Sequence, residues 1–117
     1  MSMNIDALEE ITGFIGGCVV DSDTGLMIAS HKVGSFDLEG AGAANTEVVK
    51  AKNAAIKALG LNDSIEDILI TLGQQFHLIR PLEANPSVFI YVALDKKGAN
   101  LGMARLQVKK VEQTLSI

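Results

Sequence analysis

The chain has one cysteine, Cys18, so it holds no internal disulfide, and such sparing use fits a reducing compartment. It lacks tryptophan, and only 4% of its residues are aromatic, so aliphatic side chains must fill the interior. Basic residues are not in excess. Ten Lys and Arg face fourteen Asp and Glu, the net charge is −4, and the lysines are spread along the sequence. A nucleic-acid binder needs a basic stripe to offset phosphates, so that class is excluded. No apolar run reaches the roughly 18 residues of a membrane span. The opening residues, MSMNIDALEE, are acidic where a signal peptide needs basic and then apolar ones. The expectation is a soluble, cytoplasmic protein with no nucleic-acid partner and no membrane insertion.

What is present is a 117-residue chain, 48% hydrophobic and 21% charged, long enough for a single domain (1–117) with a real core. No repeat, linker or low-complexity tract divides it. The longest stretch with helical spacing is 38–60, LEGAGAANTEVVKAKNAAIKALG. At about 100° per residue, Ala44, Ala51, Ala55 and Ala58 fall together with Ala41, Val48 and Leu59. Leu38, Val49 and Ile56 lie farther round the same side, with Asn45 and Lys52 between the two groups. The apolar arc approaches half the circumference, wider than the roughly 100° stripe that packs one sheet. The alanine side would approach a sheet closely, leaving the Val49/Ile56 shoulder for a second surface. A helix buried deeply in its own domain is the alternative; a helix shared between core and subunit interface is favoured.

Around it, 3–12 reads as a short first helix with Asn4 as N-cap and Ile5, Leu8 and Ile11 apolar, stopped by Gly13. Residues 14–21 and 26–32 read as a hairpin joined at Ser22-Asp23-Thr24-Gly25. The first of these strands is apolar at both parities, hence central, and Gly16 and Gly17 leave room for a helix on each side. Asp37 is the N-cap and Gly60 the C-terminal stop of the long helix. Strands at 65–72, 75–82 and 88–95 follow, the last also apolar at both parities. A final helix spans about 100–115 on a stripe of Leu101, Ala104, Val108, Val111 and Leu115. The order is α-β-β-α-β-β-β-α. It implies an α/β (α+β) fold, a three-layer α/β/α sandwich around a five-stranded, mainly antiparallel sheet. The strand at 65–72 need not be central, and a long apolar edge invites pairing with another chain.

Motifs for chemistry are weak. Asp21-x-Asp23-x-Gly25 begins like a calcium loop, but Gly25, Leu26 and Lys32 stand where the pattern wants an oxygen ligand, a glycine and a glutamate, so a hairpin turn is the better reading. Cys18, His31 and His77 lack a metal-ligand spacing. Gly40-x-Gly42 lacks the GK[ST] of a phosphate loop, and no serine sits in a GxSxG elbow. Arg80 and Arg105 read as solvated or salt-bridged surface residues. No catalytic residue, cofactor site or metal site is assigned, and the chain is read as not an enzyme.

Taken in order, GCVVDSDTGLMIAS (17–30), the alanine-rich helix from Leu38, ILITLG (68–73) and VFIYVALDKKGANLGMARLQV (88–108) resemble the roadblock/dynein light chain superfamily. Among its members they are most similar to bacterial MglB-type small-GTPase regulators. The resemblance implies a profilin-like roadblock fold and a non-enzymatic homodimer in which the central helix and third strand meet their counterparts. By position, Asn45, Val48, Val49, Lys52 and Ile56 on the helix, with Ile68, Leu69, Ile70 and Thr71 on the strand, become the dimer candidates. Asn45 and Lys52 would fix register. The resemblance also implies a Ras-like GTPase, or another protein partner, at the exposed Glu47, Lys50, Asn53 and Lys57. No arginine on the exposed side of the central helix offers a catalytic finger, so any acceleration of hydrolysis would reposition the GTPase's own residues. The other reading is a small-molecule-sensing module with Cys18, His31 and His77 bordering a pocket.

Overall fold

The computed structural model describes residues 3–116. A 3₁₀ turn, Asp6–Glu10, precedes strands β1 (Phe14–Asp21) and β2 (Leu26–Lys32), helix α1 (Leu38–Ala58), strands β3 (Ile68–Thr71), β4 (Gln75–Pro81) and β5 (Val88–Asp95), and helix α2 (Leu101–Thr114). The five strands form one antiparallel sheet in the order β2-β1-β5-β4-β3. The two strands apolar at both parities, β1 and β5, are central as expected, because each needs cover on both faces.

Alternate side chains sort into two cores. Val88, Ile90, Val92 and Leu94 of β5 pack with the 3₁₀ turn and with Ala104, Val108 and Val111 of α2. Phe89, Tyr91 and Ala93 pack on the other face with Cys18, Val20 and the α1 residues Leu38 and Val49. Gly16 and Gly17 sit where the sheet is pressed from both sides. A Cβ on Gly16 would meet Leu38 of α1 at 3.2 Å, and one on Gly17 would meet Leu8 of the 3₁₀ turn at 2.9 Å.

Two elements differ from expectation. The segment read as a first helix from residue 3 to 12 is a 3₁₀ turn of five residues. Its apolar residues, Ile5, Leu8, Ile11 and then Phe14, recur every three positions, the 3₁₀ period rather than 3.6. The bonds Leu8 N–H to Ile5 O, Ile11 N–H to Leu8 O and Phe14 N–H to Ile11 O follow that step. Ile5, not Asn4, is its N-cap and carries no side-chain cap; Asn4 stands one residue earlier, its Oδ1 accepting from the Asp6 amide at 2.9 Å.

The strand read over 65–72 is only Ile68–Thr71. Pro81 explains the shortening. Leu82 donates its amide to Val88 O on the β5 side, so Pro81, one residue back along the pleat, faces β3 with no N–H to give. The ladder to β3 therefore stops at Ile68↔Ile79.

Candidate functional site

Helix α1 is set by its caps. Asp37 Oδ1 accepts from the Gly40 amide at 3.0 Å, worth about 1 kcal/mol at an N-cap. Gly60, at φ 68°, follows the helix in the left-handed conformation. Between the caps, Leu38, Gly42, Thr46 and Val49 are the residues buried against the sheet. Gly42 marks the closest approach, where an added Cβ would stand 3.0 Å from Val20 Cγ2. Thr46 turns its hydroxyl inward onto its own helix, donating to Gly42 O at 2.8 Å.

This reverses the sequence-based orientation of the helix. The alanine side does not face the sheet: Ala44, Val48, Ala51 and Ala58 are exposed and Ala55 is half-buried. Val49, expected on an open shoulder, is 1% exposed and belongs to the protomer's own core. The larger Leu38 and Val49 bury more apolar area per residue than alanine, and Gly42 with Thr46 supplies the close approach for which the alanines had been credited. What remains outside is a seam, Ala44, Val48, Ala51, Ala55 and Ala58, spaced by four, three, four and three residues. That is the spacing of a helix-pairing stripe, and in the sequence alone it was hidden inside a single wide arc.

The other dimer candidates divide. Ile56 is half-buried and Lys52 is exposed. Asn45 is half-buried, and its amide donates to Ala41 O of its own helix at 2.7 Å. On the edge strand β3, Ile68 and Ile70 face the α1 side, whereas Leu69 packs into the α2-side core and Thr71 is exposed. Among the described residues no further strand lies beyond β3. The partner candidates Glu47, Lys50, Asn53 and Lys57 are all exposed. At 100° per residue the alanine seam itself stands at the pole farthest from the sheet with Glu47 beside it, and Lys50, Asn53 and Lys57 lie on the side away from the seam. Asn53 also lines a groove of about 440 Å³ with Asp63, Glu66, Arg80, Glu83 and Lys109.

Cys18, His31 and His77 do not border one pocket. Cys18 is fully buried, and burial pushes its thiol up to about 12. His77 lies on the α1 side, its Nδ1 accepting from Tyr91 Oη at 3.2 Å and its Nε2 facing Gln75 Oε1 at 2.8 Å. Phe36 meets the ring edge-on, and desolvation holds the His77 pKa below its ordinary value. Tyr91 is raised by burial and then by Cys18. His31 lies on the opposite face of the sheet, against Asp6 at 3.3 Å and Glu9 at 2.6 Å. Neither groove found, that at Arg80 nor one of about 370 Å³ beside Gly73–Gln75 and Asp95–Lys97, is lined by any of the three.

Asp21-x-Asp23 is a hairpin turn, Asp21 Oδ1 accepting from the Asp23 amide at 2.9 Å. Among the described residues, no group of three His, Cys, Asp or Glu side chains is placed to hold a metal ion. Nor is any described helix long and apolar enough to cross a membrane. Arg80, expected at the surface, is 8% exposed and paired through Nε with Glu112 Oε1 at 2.5 Å. Nothing in the sequence signals this pair, since 32 positions separate the partners.

No family model and no curated protein matches the sequence. Solved structures do match the fold. MglB of Myxococcus xanthus superposes with a TM-score of 0.79 at 20% identity, over 92% of this chain and 85% of that one. A Roadblock/LC7 domain from Streptomyces avermitilis gives 0.80 at 9% identity, over 96% and 94% of the two chains. An MglB in a tetrameric arrangement gives 0.79 at 18% identity, over 95% and 83%. The layered sheet with its long helix on one face is a roadblock-type fold.

Proposed function

We propose, from the roadblock-type fold as premise, that this chain is a non-enzymatic dimeric regulator that binds a small Ras-like GTPase on the surface of its paired long helices. The observation that carries the reading is the exposed 4-3-4-3 seam of α1 beside the open edge of β3. A stripe of small apolar residues on a helix, next to an unpaired strand, is a surface that a second copy completes. In that arrangement the α1 helices meet along Ala44, Val48, Ala51, Ala55 and Ala58, and β3 extends the sheet across the dimer. Ile68, Ile70, Ile56 and Lys52 border the seam; Val49 supports it from inside the protomer. The resemblance to MglB-type regulators then supports a GTPase over the flank bearing Lys50, Asn53 and Lys57, with Glu47 at its margin. Stimulation of hydrolysis would act by ordering the GTPase's own groups, because this flank carries no arginine.

The test is affinity capture from the source cell's lysate, in parallel with excess GDP and with a non-hydrolysable GTP analogue. A small GTPase retained only with the analogue supports the regulator reading, and rates of hydrolysis follow. Retention in neither state removes the GTPase and leaves a scaffold that serves other proteins.

A further inference from the structure

Strand β3 stops short because Pro81 turns toward it with no N–H, and the chain ahead of Ile68 leaves the edge of β4 there. The groove of about 440 Å³ lies in that gap. Its walls are the loop bearing Asp63 and Glu66, the turn bearing Glu83, and Asn53 and Lys109 of the two helices. Arg80 borders it from β4. The Arg80 side chain is 9% exposed, and only its Nε is engaged, by Glu112 Oε1. The four N–H donors on Nη1 and Nη2 have no hydrogen-bond partner among the described residues. No fully buried side-chain nitrogen among those residues lacks a partner, so both Nη atoms keep contact with solvent, and the groove is the opening beside them. A guanidinium nine-tenths buried, with its fork unfilled, is a receptor for a planar carboxylate.

The other charges of the groove do not neutralise one another. Asp63, Glu66, Glu83 and Lys109 are all exposed, and none makes an ion pair with the described residues. Lys50 and Lys57 stand on the same side of α1 as Asn53 but do not line the groove. Three carboxylates without a cation therefore face one lysine, and the charge of Arg80 is already answered by Glu112. A plain anion is a poor occupant. Nor do the carboxylates converge, since no three acids or histidines among the described residues are placed to hold a metal ion. The groove suits cationic groups set apart from one another, on a molecule that also carries a carboxylate. Ile65, Pro81 and Pro86 add an apolar surface for an aliphatic stem between them.

We propose that this groove binds a free basic α-amino acid, of the arginine or lysine class. The ligand carboxylate takes the Nη edge of Arg80 with Lys109 beside it, and the α-ammonium and side-chain cation take Asp63, Glu66 and Glu83. At about 440 Å³ the groove falls within the roughly 300–1,000 Å³ of small-ligand pockets. A neutral amino acid leaves the surplus of negative charge unanswered, and a diamine leaves the Arg80 fork empty, so the site discriminates against both. It takes no premise from the α1 pairing or the GTPase; only Asn53 is common to it and the proposed partner flank.

The experiment is calorimetric titration of the full chain with L-arginine, with agmatine (arginine without its carboxylate) and with L-norvaline (the same stem without the guanidinium). L-arginine is expected to bind once per chain and to raise the melting temperature. Each of the other two should bind at least about tenfold more weakly, having lost a charge-assisted contact. Lys109→Met and Arg80→Lys should narrow the gap between L-arginine and agmatine, the second because lysine keeps a cation for Glu112 but has no fork. Glu66→Gln/Glu83→Gln should narrow the gap between L-arginine and L-norvaline. Lys109, Glu66 and Glu83 are exposed, so their variants keep the wild-type circular dichroism even where Arg80→Lys does not fold. Neither heat nor a melting shift with L-arginine, equal binding of agmatine or L-norvaline, or exposed-site variants that bind as the wild type does would overturn the proposal. So would a tripeptide, Gly-Gly-Arg, that binds more tightly than L-arginine, because the ligand would then be the end of a partner chain. The chain is titrated alone, so the outcome is independent of whether a GTPase is captured.

Discussion

Arg80 and Glu112 are both nearly buried, and Glu112 Oε2 also accepts from the Glu83 amide at 2.8 Å. The pair therefore ties β4, α2 and the turn after β4 together at one point. Arg80→Ala leaves a carboxylate buried with one hydrogen bond, and should cost about 3–5 kcal/mol in urea denaturation. Replacing both residues by Met should cost clearly less, because no charge is left stranded. A titration effect is expected at His77. Desolvation makes the folded protein bind the His77 proton less readily than the unfolded chain, whose histidine titrates near its ordinary value of about 6.5. The unfolded state therefore holds more protons below that pH, and the His77 contribution to stability, complete above it, is lost as pH falls. Melting temperatures from pH 7.5 down to pH 5 should fall more steeply for the wild type than for His77→Gln. Parallel slopes would remove His77 as the cause.

At the scale of elements, α1 asks for a test that separates fold from assembly. Ala51 is exposed, so Ala51→Glu should change protomer stability by no more than about 0.5 kcal/mol while abolishing dimerisation, read as a halved mass with unchanged circular dichroism. Ile56→Asp should also give monomer or insoluble protein, at a greater cost to the fold because Ile56 is half-buried. A dimer that survives both substitutions would rule out the seam. The strands β1, β2 and β5 were legible to the residue, since alternation and turn residues bound them locally. The cap at Asp37 was equally local. The face that α1 turns to the sheet was not. Its direction depends on which apolar residues lose most water against a surface the helix's own sequence does not contain. The Arg80–Glu112 pair was hidden for the same reason, as was the limit that Pro81 sets on β3.

For the whole molecule, the partner reading makes Lys50 and Lys57 the cheapest residues to alter, because both are exposed and away from the seam. Lys50→Glu/Lys57→Glu should lower retention of the GTPase on analogue-loaded beads at least several-fold and leave the dimer mass unchanged. Equal retention would move the contact elsewhere on the helix layer. Among the sequence-based candidates the structure leaves Val48, Lys52 and Thr71 exposed and takes Val49 into the core, a division that depends on the sheet and is not written in the helix's own sequence. The sheet order has a further consequence, for synthesis. The central pairing joins β1 to β5, Asp21 opposite Val88, so the two strands that anchor both cores are made at opposite ends of the domain. At about 5–20 residues per second, the ribosome holds an apolar β1 hairpin without its inner neighbour for several seconds. During that interval the nascent chain shows its most aggregation-prone edge, and the folding of this protein in the cell is timed by the arrival of its last strand.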